Sequence, residues 1–243
     1  MKGIILAAGR GSRMGVLTRD QPKCRTVLHD KELIQWQLDA LTSASIEEIA
    51  IVRGYLAETF DFDLTYFENK RWSETNMVMS LYAAREWLEN DICITSYSDI
   101  VYSSDAVKRL IDADGDIVMT YDPNWKDLWS MRFDDPLSDA ETFRLEGDRV
   151  VEIGNHASSI EEIEGQYMGL VKYTPKGWAQ VAEYFRKFSQ DELDKLDMTS
   201  LLQGIIHSGV IVNTVPIKDK WFEVDSETDL RSYELNFKTS PIR

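Results

Sequence analysis

Cysteine is scarce in this chain of 243 residues: Cys24 and Cys93 are the two it has. Their separation matches no metal-ligand spacing, and a disulfide framework is not expected, so a reducing compartment is the simple reading. Histidine is almost as rare. His29, His156 and His207 are scattered, none lies beside a serine or cysteine that suggests a triad, and neither histidine nor cysteine spacing supports zinc. Positive charge is in deficit, with 27 Lys and Arg against 42 Asp and Glu and a formal net charge of -15. An acidic surface repels nucleic acid and anionic membrane, so neither is an expected partner. Small anions are not excluded, because a few local cations and a metal ion reverse the field inside one cleft. No apolar stretch approaches membrane-spanning length. The opening MKGIILAAG carries an apolar run too short for a secretory leader and leads into a glycine turn, so a cytoplasmic protein is expected. Repeats and low-complexity segments are also missing.

What is present is a patterned, mixed sequence. Hydrophobic residues make up 43%, enough at this length for one sizeable core. Apolar runs at 4–8 and 49–52 predict strands buried on both faces. Further strands are predicted over 64–67, 92–97 and 117–121. Helical spacing marks 33–41, the stripe Met77, Leu81, Ala84 and Leu88, and 105–111. Strands alternating with helices predict an α/β fold with a mostly parallel central sheet. After Tyr121 the pattern changes. Residues 122–165 are polar, Trp-containing and less periodic, with a hairpin predicted from 142–145 to 150–153 around Glu146-Gly147-Asp148. A strand over 166–173, helices over 177–188 and 199–208, and a strand over 210–215 return to the sheet. The expectation is one domain over residues 1–243, with 122–165 inserted on its substrate-facing side; nothing in the composition bears against an oligomer.

The first strand runs into Leu6-Ala7-Ala8-Gly9-Arg10-Gly11-Ser12-Arg13-Met14-Gly15, and Pro22-Lys23 follows. Glycines directly after a buried strand let backbone N–H groups approach phosphate oxygens. Three readings compete. A P-loop needs a Gly-Lys pair, which is absent; a dinucleotide fingerprint needs a third glycine where Met14 stands, and Gly15 comes one residue late. The third reading is a nucleotidyltransferase loop.

LAAGRGSRM followed by PK resembles the signature L-A-A-G-x-G-[ST]-R-[ML]…P-K of the nucleoside-triphosphate transferase superfamily, which includes sugar-phosphate nucleotidyltransferases and phosphocholine cytidylyltransferases. The resemblance implies a Rossmann-like, GT-A-like fold with helices on both faces of the sheet. It implies that Leu6, Ala7, Ala8, Gly9, Gly11, Ser12, Arg13 and Ser98 surround a nucleotide, that Lys23 reaches its α-phosphate, and that Arg13 and Lys23 are catalytic. Ser98-Asp99-Ile100 resembles the family's Gly-Asp-hydrophobic metal site, with Ser98 in place of glycine. Asp225, in WFEVDSETDL, matches the second metal-binding Asp. Two oxygen ligands on separate strand ends suit Mg²⁺. Helix capping or turn formation is the alternative for both carboxylates. Asn76 resembles the first residue of the N-x-x-x-S-L motif of phosphocholine-type enzymes, where it contacts nucleotide or acceptor; a plain N-cap is the alternative.

Tyr121, Trp125 and Trp129 lie close in sequence among Asp122, Asp127, Asp134, Asp135 and Asp139. Aromatic faces with carboxylates hold alkylammonium groups, a device the resemblance associates with phosphocholine-type acceptors; the alternative is that the tryptophans anchor a core. Arg132 can clamp an acceptor phosphoryl group or pair with a neighbouring Asp. The expected activity is a Mg²⁺-dependent nucleotidyl transfer, CTP favoured, to a small zwitterionic phosphate or phosphonate, with pyrophosphate released. Synthesis of an NDP-sugar from a sugar 1-phosphate is the alternative.

Overall fold

The computed structural model describes residues 1–237. Strand β1 (Lys2–Ala7) sets the architecture, because both of its faces are apolar. Ile4 and Leu6 pack into one core layer and Ile5 and Ala7 into another on the opposite face. Period-two alternation with no polar side is what a strand covered by helices on both faces requires.

From β1 the chain passes through a 3-10 segment (Ser12–Thr18), a single turn (Lys23–Arg25) and the short pair β2 (Val27–Leu28) and β3 (Lys31–Glu32) into α1 (Leu33–Ser43). Next come β4 (Glu48–Arg53), β5 (Thr65–Glu68), α2 (Met77–Ala83), α3 (Arg85–Asn90), β6 (Cys93–Tyr97), β7 (Ile100–Val101), α4 (Ser104–Asp112) and β8 (Ile117–Asp122). Beyond β8 lie α5 (Trp125–Arg132), the hairpin β9 (Glu141–Glu146) and β10 (Arg149–His156), and β11 (Gln166–Tyr173). The remainder is α6 (Pro175–Phe185), α7 (Gln190–Lys195), α8 (Met198–His207), β12 (Asn213–Pro216), β13 (Phe222–Glu223) and α9 (Glu227–Asn236).

Among the described residues nine strands form one sheet in the order β5-β4-β1-β6-β11-β8-β12-β10-β9. The block β5-β4-β1-β6 is parallel throughout, as is the pair β8-β12. β11 runs against both neighbours. Its direction follows from the path of the chain. The 122–165 segment leaves and re-enters at the carboxyl end of β8, so Gln166 pairs with Asp122 and Tyr167 with Tyr121. The sheet is therefore mixed, with a parallel core. Helices α2, α3, α6 and α8 cover one face, and α1, α4, α5 and α9 the other. The chain moves from β1 outward to β4 and β5 and then crosses to β6 on the other side. That reversal opens a crevice at the carboxyl ends of β1 and β6, where open α/β sheets bind ligands.

Three local differences from expectation have identifiable causes. The segment after Tyr121 contains a helix: Trp125, Leu128, Trp129 and Arg132 are its buried residues. Their i, i+3, i+4, i+7 spacing is helical, and it is masked in sequence because the fourth member is an arginine. The stripe from Met77 to Leu88 is divided at Ala84 into α2 and α3, yet its apolar face stays buried across the division. β12 begins at Asn213 because Gly209, at φ 90, closes α8, with Gly209 N donating to Ile206 O and Val210 N to Ile205 O.

Candidate active site

The glycine turn follows β1 at the crevice. Gly11 is left-handed (φ 66), and a Cβ there would lie 2.7 Å from Lys23 Cδ. Only glycine lets the lysine stem pass so close. A Cβ on Gly9 would meet nothing within 4 Å, so that part of the loop faces open space. Thr18 Oγ1 and Met14 N both donate to Gly11 O at 3.0 Å and hold the loop's far end. Pro22, extended at φ -61 and ψ 148, delivers Lys23 into its single turn beneath Gly11.

Lys23 is buried, and its ammonium bridges two carboxylates. Nζ donates to Asp99 Oδ2 at 2.7 Å and to Asp225 Oδ1 at 2.5 Å. Asp99 and Asp225 come from opposite halves of the chain. They meet because β7 pairs antiparallel with β13, setting Ile100 opposite Glu223, and because Val224 N donates to Asp99 O at 2.9 Å. Neither carboxylate is the cap of the helix that follows it: Ser103 caps α4 and Ser226 caps α9. Arg13 Nη2 reaches Asp225 Oδ2 at 3.1 Å, while most of the Arg13 side chain stays exposed to the crevice. Burial works against the charge of Lys23, but attraction to Asp99 and Asp225 outweighs it and the ammonium is held above its ordinary pKa. Burial likewise works against Asp225, and the pull of Lys23, Arg13 and Arg132 leaves its carboxyl below the usual range.

The pair fits a hard divalent cation. Asp99 Oδ1 is buried with no hydrogen-bond partner, an acceptor directed at nothing in the protein. Among the described residues no group of three or more His, Cys, Asp or Glu side chains is arranged to hold a metal ion. A cation held here would take two carboxylates from the protein and its other oxygens from water and phosphate, the manner in which Mg²⁺ binds at nucleotide sites.

On the other side of the turn lies a cavity of about 130 Å³ lined by Leu6, Ala8, Gly9, Trp72, Thr75, Asn76, Met77 and Ser80. Asn76 caps α2, its Oδ1 accepting from Met77 N at 2.8 Å, and its Nδ2 donates to Lys195 O at 3.3 Å. Asn69 Nδ2 donates to Thr75 Oγ1 at 2.9 Å and to Ser80 Oγ at 3.1 Å, fixing two lining hydroxyls. Ala7, expected at the nucleotide, points into the opposite core layer and does not line this cavity. Ser98 occupies the half-exposed turn before Asp99. Trp72 carries no motif that singles it out in sequence. It lies against Gly54, where a Cβ would be 2.7 Å from the tryptophan, and edge-on to Tyr55.

The acceptor-side expectations need correction. Trp125 and Trp129 are each only 4% exposed. Trp125 Nε1 donates to Ile163 O at 3.3 Å, Trp129 Nε1 to Asp139 Oδ2 at 3.1 Å, and Trp129 packs against Trp221. They anchor the core beneath the 122–165 segment, because the helical phase of α5 turns them inward, and they form no open cage. Arg132 is not free to clamp a phosphoryl group either. Its side chain is 1% exposed and pairs with Glu223, Asp229 and Asp225. Tyr121 remains half-exposed, stacked on Phe143 with Gly165 pressed against its ring. Tyr97, at the end of β6, and Tyr167 meet edge-to-face at 5.6 Å, and both are largely buried with only part of each side chain open. Neither tyrosine carries a motif of its own in the sequence; the position of Tyr97 two residues before Asp99 is the signal that marks it.

A glycine turn open to the crevice and a buried lysine between two carboxylates, all at one switch point, form the site of a nucleotidyltransferase. The model of the MobA-like NTP transferase domain matches residues 3–182, and the chain belongs to that family. A CTP:phosphoglutamine cytidylyltransferase of Campylobacter jejuni is 37% identical, the match covering 95% of this chain and 98% of the relative. A choline-phosphate cytidylyltransferase of Streptococcus pneumoniae is 36% identical over 39% of this chain and 43% of its own length. In fold the chain is similar to the inositol-1-phosphate CTP transferase of T. maritima, at TM-score 0.77 and 22% identity over 96% of this chain and 94% of the other.

Proposed function

We propose that this enzyme is a Mg²⁺-dependent cytidylyltransferase that moves CMP from CTP to a small zwitterionic phosphate or phosphonate and releases pyrophosphate. The observation that carries the reading is the Lys23 ammonium, held between Asp99 and Asp225 directly beneath the glycine turn. An acceptor oxygen attacks the α-phosphorus in line. The new P–O bond forms as the bond to the β-phosphate oxygen breaks, and the electron pair leaves with pyrophosphate. The anionic acceptor is already nucleophilic, so positioning and charge neutralisation supply the catalysis. Lys23 meets the α-phosphate, and Arg13 with the amides of Gly9, Gly11 and Ser12 holds the β- and γ-phosphates. The cavity at Leu6, Ala8 and Asn76 takes the cytosine side. Asp99 and Asp225 would hold the cation, which when bound neutralises phosphate charge.

Support for CTP and for an amino-acid-like phosphate acceptor comes from the match to the phosphoglutamine enzyme over nearly both chains. Tyr121, with Tyr97 and Tyr167, supplies the acceptor side, and residues 1–243 act as one domain. A cytoplasmic location accords with two buried, unpaired cysteines. The sugar 1-phosphate reading stays as the second, favoured by the burial of Trp125 and Trp129, which removes the expected ammonium cage. The test is pyrophosphate release from each of four NTPs with phosphocholine, aminoethylphosphonate, phosphorylated amino acids including phosphoglutamine, and sugar 1-phosphates. Turnover confined to CTP and a zwitterionic acceptor is expected. Turnover confined to sugar 1-phosphates transfers the assignment to NDP-sugar synthesis.

A further inference from the structure

We propose that Arg132 is a positioning residue for the cation site, acting through Asp225; the inference rests on the metal-dependent reading above. Arg132 ends α5, and its guanidinium lies over the rings of Trp129 and Phe133, with centroids 5.4 and 5.0 Å away. Each of its nitrogens takes a different carboxylate from one stretch of chain. Nη1 donates to Glu223 Oε2, Nη2 to Asp225 Oδ2 at 3.5 Å, and Nε to Asp229 Oδ1 at 3.2 Å. Because the guanidinium is planar and its fork rigid, three bonds in three directions fix these carboxylates relative to one another.

Asp229 completes the frame. Its Oδ2 accepts from Asp225 N at 2.9 Å, Ser226 N at 2.8 Å and Ser226 Oγ at 3.0 Å, so the backbone on both sides of the Asp225–Ser226 peptide is held as well. The two oxygens of Asp225 are thereby given different tasks. Oδ2 is turned toward Arg13 and Arg132, and Oδ1 faces Lys23 and the side shared with Asp99. Arg132, together with the more exposed Arg13 on the same oxygen, thus selects which oxygen is presented to a cation, and Arg132 is the buried, fixed member of the two. The link also runs between regions distant in sequence: the segment after β8 sets the orientation of a ligand near the carboxyl terminus. A purely structural ion cluster would bury the same charges but would not make metal affinity depend on the fork.

The test is Mn²⁺ binding followed by electron paramagnetic resonance with CTP and no acceptor, on wild type, Arg132→Lys and Arg132→Gln. Partners that orient metal ligands typically change metal affinity by about 10–100-fold. Arg132→Gln is expected to lose affinity in that range, with CTP binding in EDTA, measured by calorimetry, unchanged. Arg132→Lys is expected to fall between, since its ammonium keeps the charge but engages fewer carboxylates. Restoration of kcat at high metal with an unchanged acceptor KM completes the expected pattern. A folded Arg132→Gln with wild-type Mn²⁺ affinity overturns the proposal, as does wild-type affinity in Arg132→Lys should the Gln variant fail to fold. If wild type itself binds no Mn²⁺ with CTP, the metal-dependent reading fails first and this inference fails with it.

Discussion

Removing the Lys23 ammonium should do two separable things to the enzyme, and Lys23→Met, which keeps the length of the stem, is the variant to use. Each contact to Asp99 or Asp225 is worth about 5–6 kcal/mol in gross Coulomb attraction at ~3 Å and an effective dielectric of ~20. Most of that is offset by desolvation. Breaking a buried pair by deleting one partner costs about 3–5 kcal/mol, because the surviving charge stays buried. At about 2–4 °C per kcal/mol for a domain of this size, the variant should melt on the order of 10 °C lower in EDTA. Mg²⁺ should recover part of that loss, and should raise the melting temperature of the variant more than that of wild type, since in wild type it must compete with the ammonium for Asp99 Oδ2 and Asp225 Oδ1. Turnover should nevertheless stay about 10²–10³-fold down at saturating Mg²⁺, the usual loss for one electrostatic donor at a transition state. The pH dependence carries a sign. The Asp225 carboxyl is held below its ordinary pKa, so its stabilising contribution is present above the unfolded value and is lost as pH falls through the folded one. Lys23 is held above its ordinary pKa, so its contribution is present below the unfolded value and is lost as pH rises through the folded one. The pair therefore persists between those limits, and the melting-temperature gap between Lys23→Met and wild type should narrow as pH falls, because wild type loses the pair while protonation relieves the carboxylates left buried in the variant. Thermal melts, pH titrations and pyrophosphate-release kinetics measure all of this. A variant that melts and turns over like wild type would refute the bridging account. Equal stabilisation of both proteins by Mg²⁺ would remove the two carboxylates from the cation site.

Gly11→Ala should cut kcat more than it costs in stability, because the added Cβ pushes on the Lys23 stem and the left-handed backbone adds about 1–2 kcal/mol of strain; matched kinetics and melts check it. Asp99→Asn and Asp225→Asn should each raise the Mg²⁺ concentration for half-maximal rate while circular dichroism stays native, and normal activity at low Mg²⁺ in either would exclude that residue. Trp129→Ala should destabilise the fold by about 3–5 kcal/mol, as expected for a buried tryptophan. At a temperature where this variant is folded, its preference for charged over neutral acceptors should equal that of wild type, and a selective loss of that preference would restore the ammonium cage.

What was legible in the sequence is what short segments carry within themselves. The double-faced apolar run of β1, the glycines after it and the Pro-Lys that follows all act over a few residues, and the strand at 166–173 appears with the bounds it was given. Asp99 and Asp225 could be singled out by motif. Their meeting could not, because it depends on β7 and β13, two residues each and too short to leave a periodic signal. The fates of Trp125, Trp129 and Arg132 were also closed to local reading. An aromatic or a guanidinium has the same chemistry in a cleft and in a core. Only the phase of α5, which sets Trp125 against Ile163, Trp129 against Asp139 and Trp221, and Arg132 against β13 and α9, placed these three inside, and burial is a property of what packs around a side chain rather than of the side chain itself.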